Sequence, residues 1–199
     1  MSSLSQKYPQ LIVPPAIALK ISHDDFVKLA LNNRELRLER TAEGELIVNP
    51  PTGGETGRKN FKLGTQLGIW CEANPQLGEG FDSSTGFTLP NGADRSPDAA
   101  WIAREKWDSL TLEQREGFLP LCPDFAIELR SKSDTLVALQ NKMQEYLDNG
   151  MRLGWLINPK SRRVEIYRPQ QEVERLENPS RLSGENVLPG FILDLTRIW

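Results

Sequence analysis

An alternation of apolar and charged side chains past the middle of the chain constrains its fold most. Phe125, Ile127 and Leu129 are apolar, and Glu128 and Arg130 stand two residues apart among them. Side chains two apart in a strand lie on the same face, so this pattern predicts a strand with a carboxylate and a guanidinium on one face. Because burying an unpaired charge is costly, we expect this strand to end beside a metal ion, a phosphate or water. The alternative that the pattern leaves open is a solvent-facing strand with an ordinary salt bridge.

A helical pattern follows this strand and predicts a helix over residues 134–149 that ends at Gly150. Its apolar side chains recur at intervals of three and four residues, which places them on one face. We expect that face to pack on the sheet through Leu136, Leu139, Met143 and Leu147.

The remaining periodic segments alternate between helix and strand. We predict helices at about 22–33 and 55–73, a hairpin at 36–40 and 45–48, strands at 78–81, 85–89, 99–103, 154–158 and 164–167, and an edge strand at 172–176. This order predicts an α/β fold with a mixed central β-sheet flanked by helices. We expect a single domain over residues 1–199, with residues 1–18 as an irregular N-terminal lead-in.

Composition narrows the class of protein. The 199 residues carry 24 basic and 27 acidic side chains, for a net charge of −3. This balance argues against a protein that coats nucleic acid non-specifically, although a cleft with local positive charge stays compatible with it. Cys71 and Cys122 are far apart and show no metal-binding spacing, so we expect reduced thiols in the cytoplasm. No apolar run approaches the roughly 20 residues that a membrane span needs.

Two carboxylates are candidates for a metal site. Asp98 follows Pro97 and leads into the predicted strand at 99–103. If that strand neighbours the one carrying Glu128, both carboxylates converge on one divalent cation, and oxygen ligands favour Mg²⁺ or Mn²⁺. Glu55, after a glycine-rich turn, is a candidate third ligand, but a glutamate that complements a helix dipole is the commoner explanation.

Several motifs of this sequence, taken in order, resemble those of a known protein family. They are Pro97-Asp98, Glu128-x-Arg130, the run from Gln140 to Tyr146, Gly150, and the segment 155–159. Together they resemble the Uma-two family of restriction-endonuclease-like proteins, which belongs to the PD-(D/E)XK nuclease superfamily and is abundant in cyanobacteria. The resemblance covers roughly residues 20 to 195. It implies a restriction-endonuclease-like core, with metal-dependent cleavage of DNA as the activity.

The chain departs from the superfamily pattern where lysine is usual, because Arg130 stands two residues after Glu128. Arginine stays protonated and cannot act as a base. The family commonly uses a lysine from the following helix, and Lys142 matches that position. The resemblance thus implies Asp98, Glu128 and Lys142 as catalytic residues.

Three further polar residues are candidates for contact with substrate phosphate: Arg95, Arg130 and Gln140. Arg95 could equally pair with a carboxylate. Two functions remain open: an Mg²⁺-dependent endodeoxyribonuclease, and a catalytically silent nuclease fold that binds DNA or protein. Cleavage of both DNA strands often needs two sites, so we expect a homodimer.

Overall fold

The computed structural model describes residues 17–199, so the predicted lead-in lies outside the described residues except for residues 17 and 18. The helices are α1 (His23–Asn32), α2 (Gly54–Ala73), α3 (Arg104–Asp108), α4 (Leu112–Glu116) and α5 (Leu136–Asp148). The strands are β1 (Arg37–Arg40), β2 (Leu46–Asn49), β3 (Gly78–Asp82), β4 (Phe87–Thr88), β5 (Asp94–Arg95), β6 (Ala99–Ala103), β7 (Phe125–Leu129), β8 (Leu153–Asn158), β9 (Arg163–Tyr167), β10 (Glu174–Glu177), β11 (Arg181–Ser183) and β12 (Ile192–Asp194). A 3₁₀ turn, Leu195–Arg197, follows β12.

A six-stranded sheet forms the centre, in the spatial order β10-β9-β8-β7-β6-β3. β7 and β8 are parallel, joined by α5 as the crossover helix, and the other neighbours are antiparallel. The predicted mixed α/β sheet is therefore confirmed. β6 and β7 are adjacent, with Ala99 opposite Ile127, which places the segment just before β6 beside the end of β7.

The alternation in β7 divides its side chains between two apolar layers. Phe125, Ile127 and Leu129 pack on one face against Leu63 and Leu67 of α2. Ala126 packs on the opposite face, against the helix α5. Since alternate residues share a face, Glu128 also points towards α5.

Helix α5 packs largely as its periodicity predicts. Met143 is fully buried, and Leu136, Leu139 and Leu147 are partly buried against the same cluster. Tyr146 is also fully buried, which the leucine spacing alone did not indicate. The helix begins at Leu136 because Thr135 caps it, with its hydroxyl accepting a hydrogen bond from the backbone N–H of Ala138.

A second, four-stranded sheet of order β2-β1-β5-β4 includes the predicted hairpin. β1 and β5 meet where Arg40 lies opposite Asp94, and the Arg40 Nε donates to Asp94 Oδ2 at 2.8 Å. Both side chains are buried. This contact sets the position of their neighbours Glu39 and Arg95. Among residues 17–199, no helix has the length and hydropathy to cross a membrane.

Candidate active site

The structure brings Asp98 and Glu128 to the same end of adjacent strands. Asp98 Oδ2 accepts a hydrogen bond from the backbone N–H of Leu129 at 2.8 Å. Asp98 Oδ1 accepts one from Asn60 Nδ2 of α2 at 2.9 Å. These two bonds fix the Asp98 carboxylate beside the residue that follows Glu128, so the predicted proximity of the two strands is confirmed.

Both carboxylates are held in an environment that disfavours their charge. Burial raises the pKa of Asp98 above its ordinary value, although hydrogen bonding from Leu129 and the charges of nearby cations oppose this. Glu128 is only 4% exposed, and burial raises its pKa to about 7; the negative charges of Asp98 and Glu39 add to the rise, and Lys142 opposes it. Such a site gains stability from a bound cation.

Lys142 lies between two buried carboxylates. Its Nζ is 2.8 Å from Glu128 Oε1 and 2.7 Å from Glu39 Oε1. Burial lowers the pKa of Lys142, but attraction to Glu128 and Glu39 outweighs burial and raises the pKa above its ordinary value. The resemblance placed Lys142 towards Glu128, and the geometry agrees. Lys142 therefore carries a positive charge between the two carboxylates.

Tyr146 supplies a second contact to Glu128 from one turn further along α5. Its hydroxyl donates to Glu128 Oε1 at 3.1 Å. Burial and the charges of Glu128 and Glu39 raise its pKa well above the ordinary value, so the hydroxyl keeps its proton and remains a donor. The i, i+4 spacing of Lys142 and Tyr146 is the sequence signal for this pair.

Glu39 of β1 is the residue that sequence reasoning missed. It is 4% exposed, and its Oε1 accepts a hydrogen bond from the Ser96 backbone N–H at 3.2 Å. Its Oε2 is 3.4 Å from Arg95 Nη1. Burial pushes the pKa of Glu39 upward, but Lys142 and Arg95 outweigh it and hold the pKa below the ordinary value. Glu39 therefore stays ionised and holds the Lys142 ammonium together with Glu128.

The three predicted phosphate contacts are engaged within the fold. Arg95 is buried and donates from Nε to Glu145 Oε2 at 2.6 Å, in addition to its pair with Glu39. Arg130 follows the last residue of β7, and its Nε donates to the Asp134 carbonyl at 3.2 Å. Gln140 donates from Nε2 to both carboxylate oxygens of Glu165, at 2.9 and 3.0 Å. Their contact with phosphate stays a prediction.

Glu55, the candidate third ligand, lies in the first turn of α2 with its side chain 67% exposed. Arg58 Nη2 approaches Glu55 Oε1 to 2.6 Å, and Lys59 Nζ lies 3.7 Å from the same oxygen. Within residues 17–199, no three His, Cys, Asp or Glu side chains are grouped so as to hold a metal ion. Glu55 is thus not grouped with Asp98 and Glu128 and instead pairs with cations one turn along its own helix.

Asp98 and Glu128 nevertheless fit a magnesium-like cation. Mg²⁺ is commonly bound through one or two carboxylates, with water and substrate phosphate completing its shell. The two side chains supply the hard oxygen donors that such an ion prefers. Burial raises both pKa values, and for Glu128 the charges of Asp98 and Glu39 add to the rise, so a cation bound here would favour the ionised carboxylates.

Comparison with known proteins agrees with this fold. A crystal structure of "a putative nuclease belonging to DUF820" from Anabaena variabilis is 20% identical, with a TM-score of 0.69 over 81% of this chain and 88% of that chain. A chain of the DrdV–DNA complex is 12% identical over 62% of this chain and 12% of that chain, and its TM-score of 0.34 is too low for any conclusion about this protein. No curated protein matches the sequence at the significance required.

The family assignment covers nearly the whole of the described chain. Residues 23–196 match the family model Uma2, described as "Putative restriction endonuclease". This range includes β1 with Glu39, the strand ends with Asp98 and Glu128, and helix α5 with Lys142. On this match the chain belongs to the Uma2 (Uma-two) family.

Proposed function

We propose that this protein is a metal-dependent endonuclease that hydrolyses phosphodiester bonds of DNA. The observation that carries the proposal is the meeting of Asp98 and Glu128 at adjacent strand ends, with the Lys142 ammonium 2.8 Å from Glu128. Membership of a family described as a restriction endonuclease supports it. Asp98 and Glu128 would hold the Mg²⁺ or Mn²⁺.

The metal, when bound, would lower the pKa of a water molecule and polarise a phosphoryl oxygen. Lys142 serves as a fixed positive charge, because its raised pKa keeps it protonated at neutral pH. A cation held at this place stabilises the negative charge on the phosphoryl oxygens as water attacks phosphorus. Tyr146 and Asn60 orient the carboxylates through their hydrogen bonds to Glu128 and Asp98.

The position of Lys142 accounts for the departure at Arg130. Arg130 lies past the end of β7 and donates to the loop carbonyl of Asp134. Lys142 approaches the same carboxylate, Glu128, from the neighbouring helix. In this proposal the superfamily's lysine charge is supplied from α5.

A plasmid-nicking assay tests the proposal. Purified protein is incubated with supercoiled plasmid in Mg²⁺, Mn²⁺ or EDTA, alongside Glu128→Gln and Lys142→Ala. We expect nicking with either metal and none with EDTA, and about 10²- to 10⁴-fold slower nicking in each variant. Lys28→Ala is the matched control, since Lys28 is 73% exposed on α1 and pairs with the exposed Asp25 at 3.6 Å.

Two results would count against the enzyme. Residual nicking that is equal in wild type and Glu128→Gln would identify a contaminating nuclease. Tight binding of DNA without cleavage under any metal condition would instead support the catalytically silent module.

We also propose that the enzyme acts as a homodimer in the cytoplasm. Two copies related by a two-fold axis would present one site to each DNA strand. Cys71 and Cys122 are free thiols, which suits a reducing compartment. Light scattering coupled to gel filtration, with and without duplex DNA, tests the stoichiometry, and a monomer under both conditions would refute the dimer.

A further inference from the structure

The proposed nuclease needs a cation that can meet substrate phosphate beside Asp98. Arg95 is paired with Glu145 and with the buried Glu39, Gln140 is paired with the buried Glu165, and Arg130 is turned to a loop carbonyl. The ammonium of Lys142 is shared between Glu128 and Glu39. A contact with a phosphate that neighbours the reacting one therefore requires another residue.

Arg37, the first residue of β1, has the required position. Its Nη2 lies 3.7 Å from Asp98 Oδ1, which is within ion-pair range but longer than a hydrogen bond. Its Nε is buried and has no hydrogen-bond partner among residues 17–199. The side chain is 32% exposed, so the guanidinium reaches solvent while remaining beside the carboxylate. Its donors are largely unused, and a buried unused donor is costly.

Arg37 faces a pocket of about 410 Å³. The other polar side chains that line it come from five separate elements or loops: Glu35, Asn49, Thr52, Asn60 and Ser83. Asn60 also donates to Asp98 Oδ1, and its own Oδ1 is buried with no partner in the described part of the chain. The pocket therefore opens directly beside the metal-binding carboxylate and is lined by groups able to contact a polar ligand.

A neighbouring groove differs from the Arg37 pocket in the charge of its lining, and this difference bears on where the DNA backbone binds. This groove, of about 480 Å³, shares Asn60 and Ser83 with the Arg37 pocket and includes Asp98. Its lining carries the acidic side chains Glu72, Glu79 and Asp82 and no basic one. The Arg37 pocket carries one basic and one acidic side chain, Arg37 and Glu35, so a phosphate backbone is repelled less there than in the groove, and of the two only the pocket offers it a cation.

We propose that the Arg37 pocket is a phosphate subsite, in which the guanidinium binds a backbone phosphate of the DNA that neighbours the phosphate being cleaved. This inference rests on the proposed function. A planar guanidinium matches two phosphate oxygens at once. Asp98 positions Arg37 at the rim of the site, and Asn60 links the subsite to the same carboxylate.

Equilibrium binding tests the subsite without relying on cleavage. Fluorescence anisotropy measures binding of a labelled DNA duplex in Ca²⁺ over a series of NaCl concentrations, for wild type, Arg37→Ala, Arg37→Gln and Arg37→Lys. We expect about 10- to 100-fold weaker binding for Arg37→Ala, the scale of losing a charged hydrogen-bonded contact. The dependence of log K on log salt should become shallower by about one for Arg37→Ala and Arg37→Gln, and stay near wild type for Arg37→Lys.

Arg152→Ala is the matched control. Arg152 is 46% exposed and lies before β8, at the opposite end of the sheet from Glu128, where its nearest carboxylate is 3.9 Å away. The Arg152→Ala variant should bind DNA with the affinity and salt dependence of the wild type. Arg37→Gln keeps most of the side-chain volume, so it reports on the charge if Arg37→Ala does not fold.

The outcomes separate the two proposals. The first outcome is that the wild-type protein binds and nicks DNA, and that Arg37→Ala and Arg37→Gln both keep its affinity and salt dependence. This result would overturn the subsite and leave the proposed nuclease function intact. A wild-type protein that neither binds nor nicks DNA would overturn the proposed function, and the subsite with it.

Discussion

Replacing Glu39 with glutamine should destabilise the protein, although Glu39 lies outside every motif of the sequence. The change removes one of the two carboxylates that hold Lys142, at 2.7 Å, and one of the two that hold Arg95, at 3.4 Å. Breaking a buried pair costs about 3–5 kcal/mol when an uncompensated charge remains. Lys142 keeps Glu128 and Arg95 keeps Glu145, so we expect the lower end, about 3 kcal/mol.

Urea denaturation measures this loss. With a slope of about 2 kcal/mol per molar urea, a loss of about 3 kcal/mol lowers the midpoint by about 1.5 M. Glu43→Gln is the matched control, because Glu43 is an exposed glutamate in the turn of the same hairpin. We also expect slower nicking by Glu39→Gln, since Lys142 is then free to shift towards Glu128.

A double-mutant cycle with Lys142→Gln measures how much of the lost unfolding free energy comes from the contact between Glu39 and Lys142. Because Glu39 and Lys142 are in contact, the two changes should be non-additive by more than about 0.5 kcal/mol. The reasoning fails if Glu39→Gln unfolds at the same urea concentration as Glu43→Gln.

Three further predictions follow from the site and the core. Lys142→Ala should slow cleavage by about 10²- to 10⁴-fold while Mn²⁺ binding by calorimetry is kept, and Arg130→Lys should stay active; equal rates in Lys142→Ala and wild type would refute the role of Lys142. Folding raises the pKa of Glu128 to about 7, so the folded state binds a proton that the unfolded state has lost. In EDTA, the stability of the wild type relative to Glu128→Gln should therefore be fully present below about pH 4.5 and lost as the pH rises through about 7. Urea midpoints that fall in parallel for both proteins between about pH 5 and 8 would contradict this. Leu139→Asp should destabilise the fold by several kcal/mol, since it places a charge where α5 packs on the apolar layer; a melting temperature within a degree or two of wild type would show that the position tolerates solvent.

The elements that sequence predicts well are those specified by local pattern. Phe125, Ile127 and Leu129 alternate in β7, and the leucines of α5 repeat at helical spacing, so both elements lie within one or two residues of their predicted bounds. The start of α5 differs because the chain offers two adjacent caps, Asp134 and Thr135, and Thr135 makes the capping bond.

The charged pairs of the site depend on contacts that no local pattern encodes. Glu39 and Lys142 are 103 residues apart; Glu39 lies in the four-stranded sheet and Lys142 on helix α5. In the sequence Glu39 is one charged residue in an alternating hairpin, with nothing to distinguish it from a solvent-exposed one. The sequence suggested phosphate contacts for Arg95 and Gln140. It could not show their pairing with Glu145 and Glu165, because these partners become neighbours only when the helix α5 packs on the sheet.

The buried ion cluster of Glu128, Lys142 and Glu39 limits how far this protein can be made more thermostable without losing the groups that the proposed chemistry needs. Replacing a buried ion cluster by apolar side chains of similar volume is often neutral or stabilising, because the charges no longer have to be removed from water. A variant with methionine and leucine at these three positions would keep the shape of the layer between β7 and α5 and lose the charges that the proposed chemistry needs. Activity and stability therefore compete directly at this place, and selection for heat resistance alone would favour an inert protein.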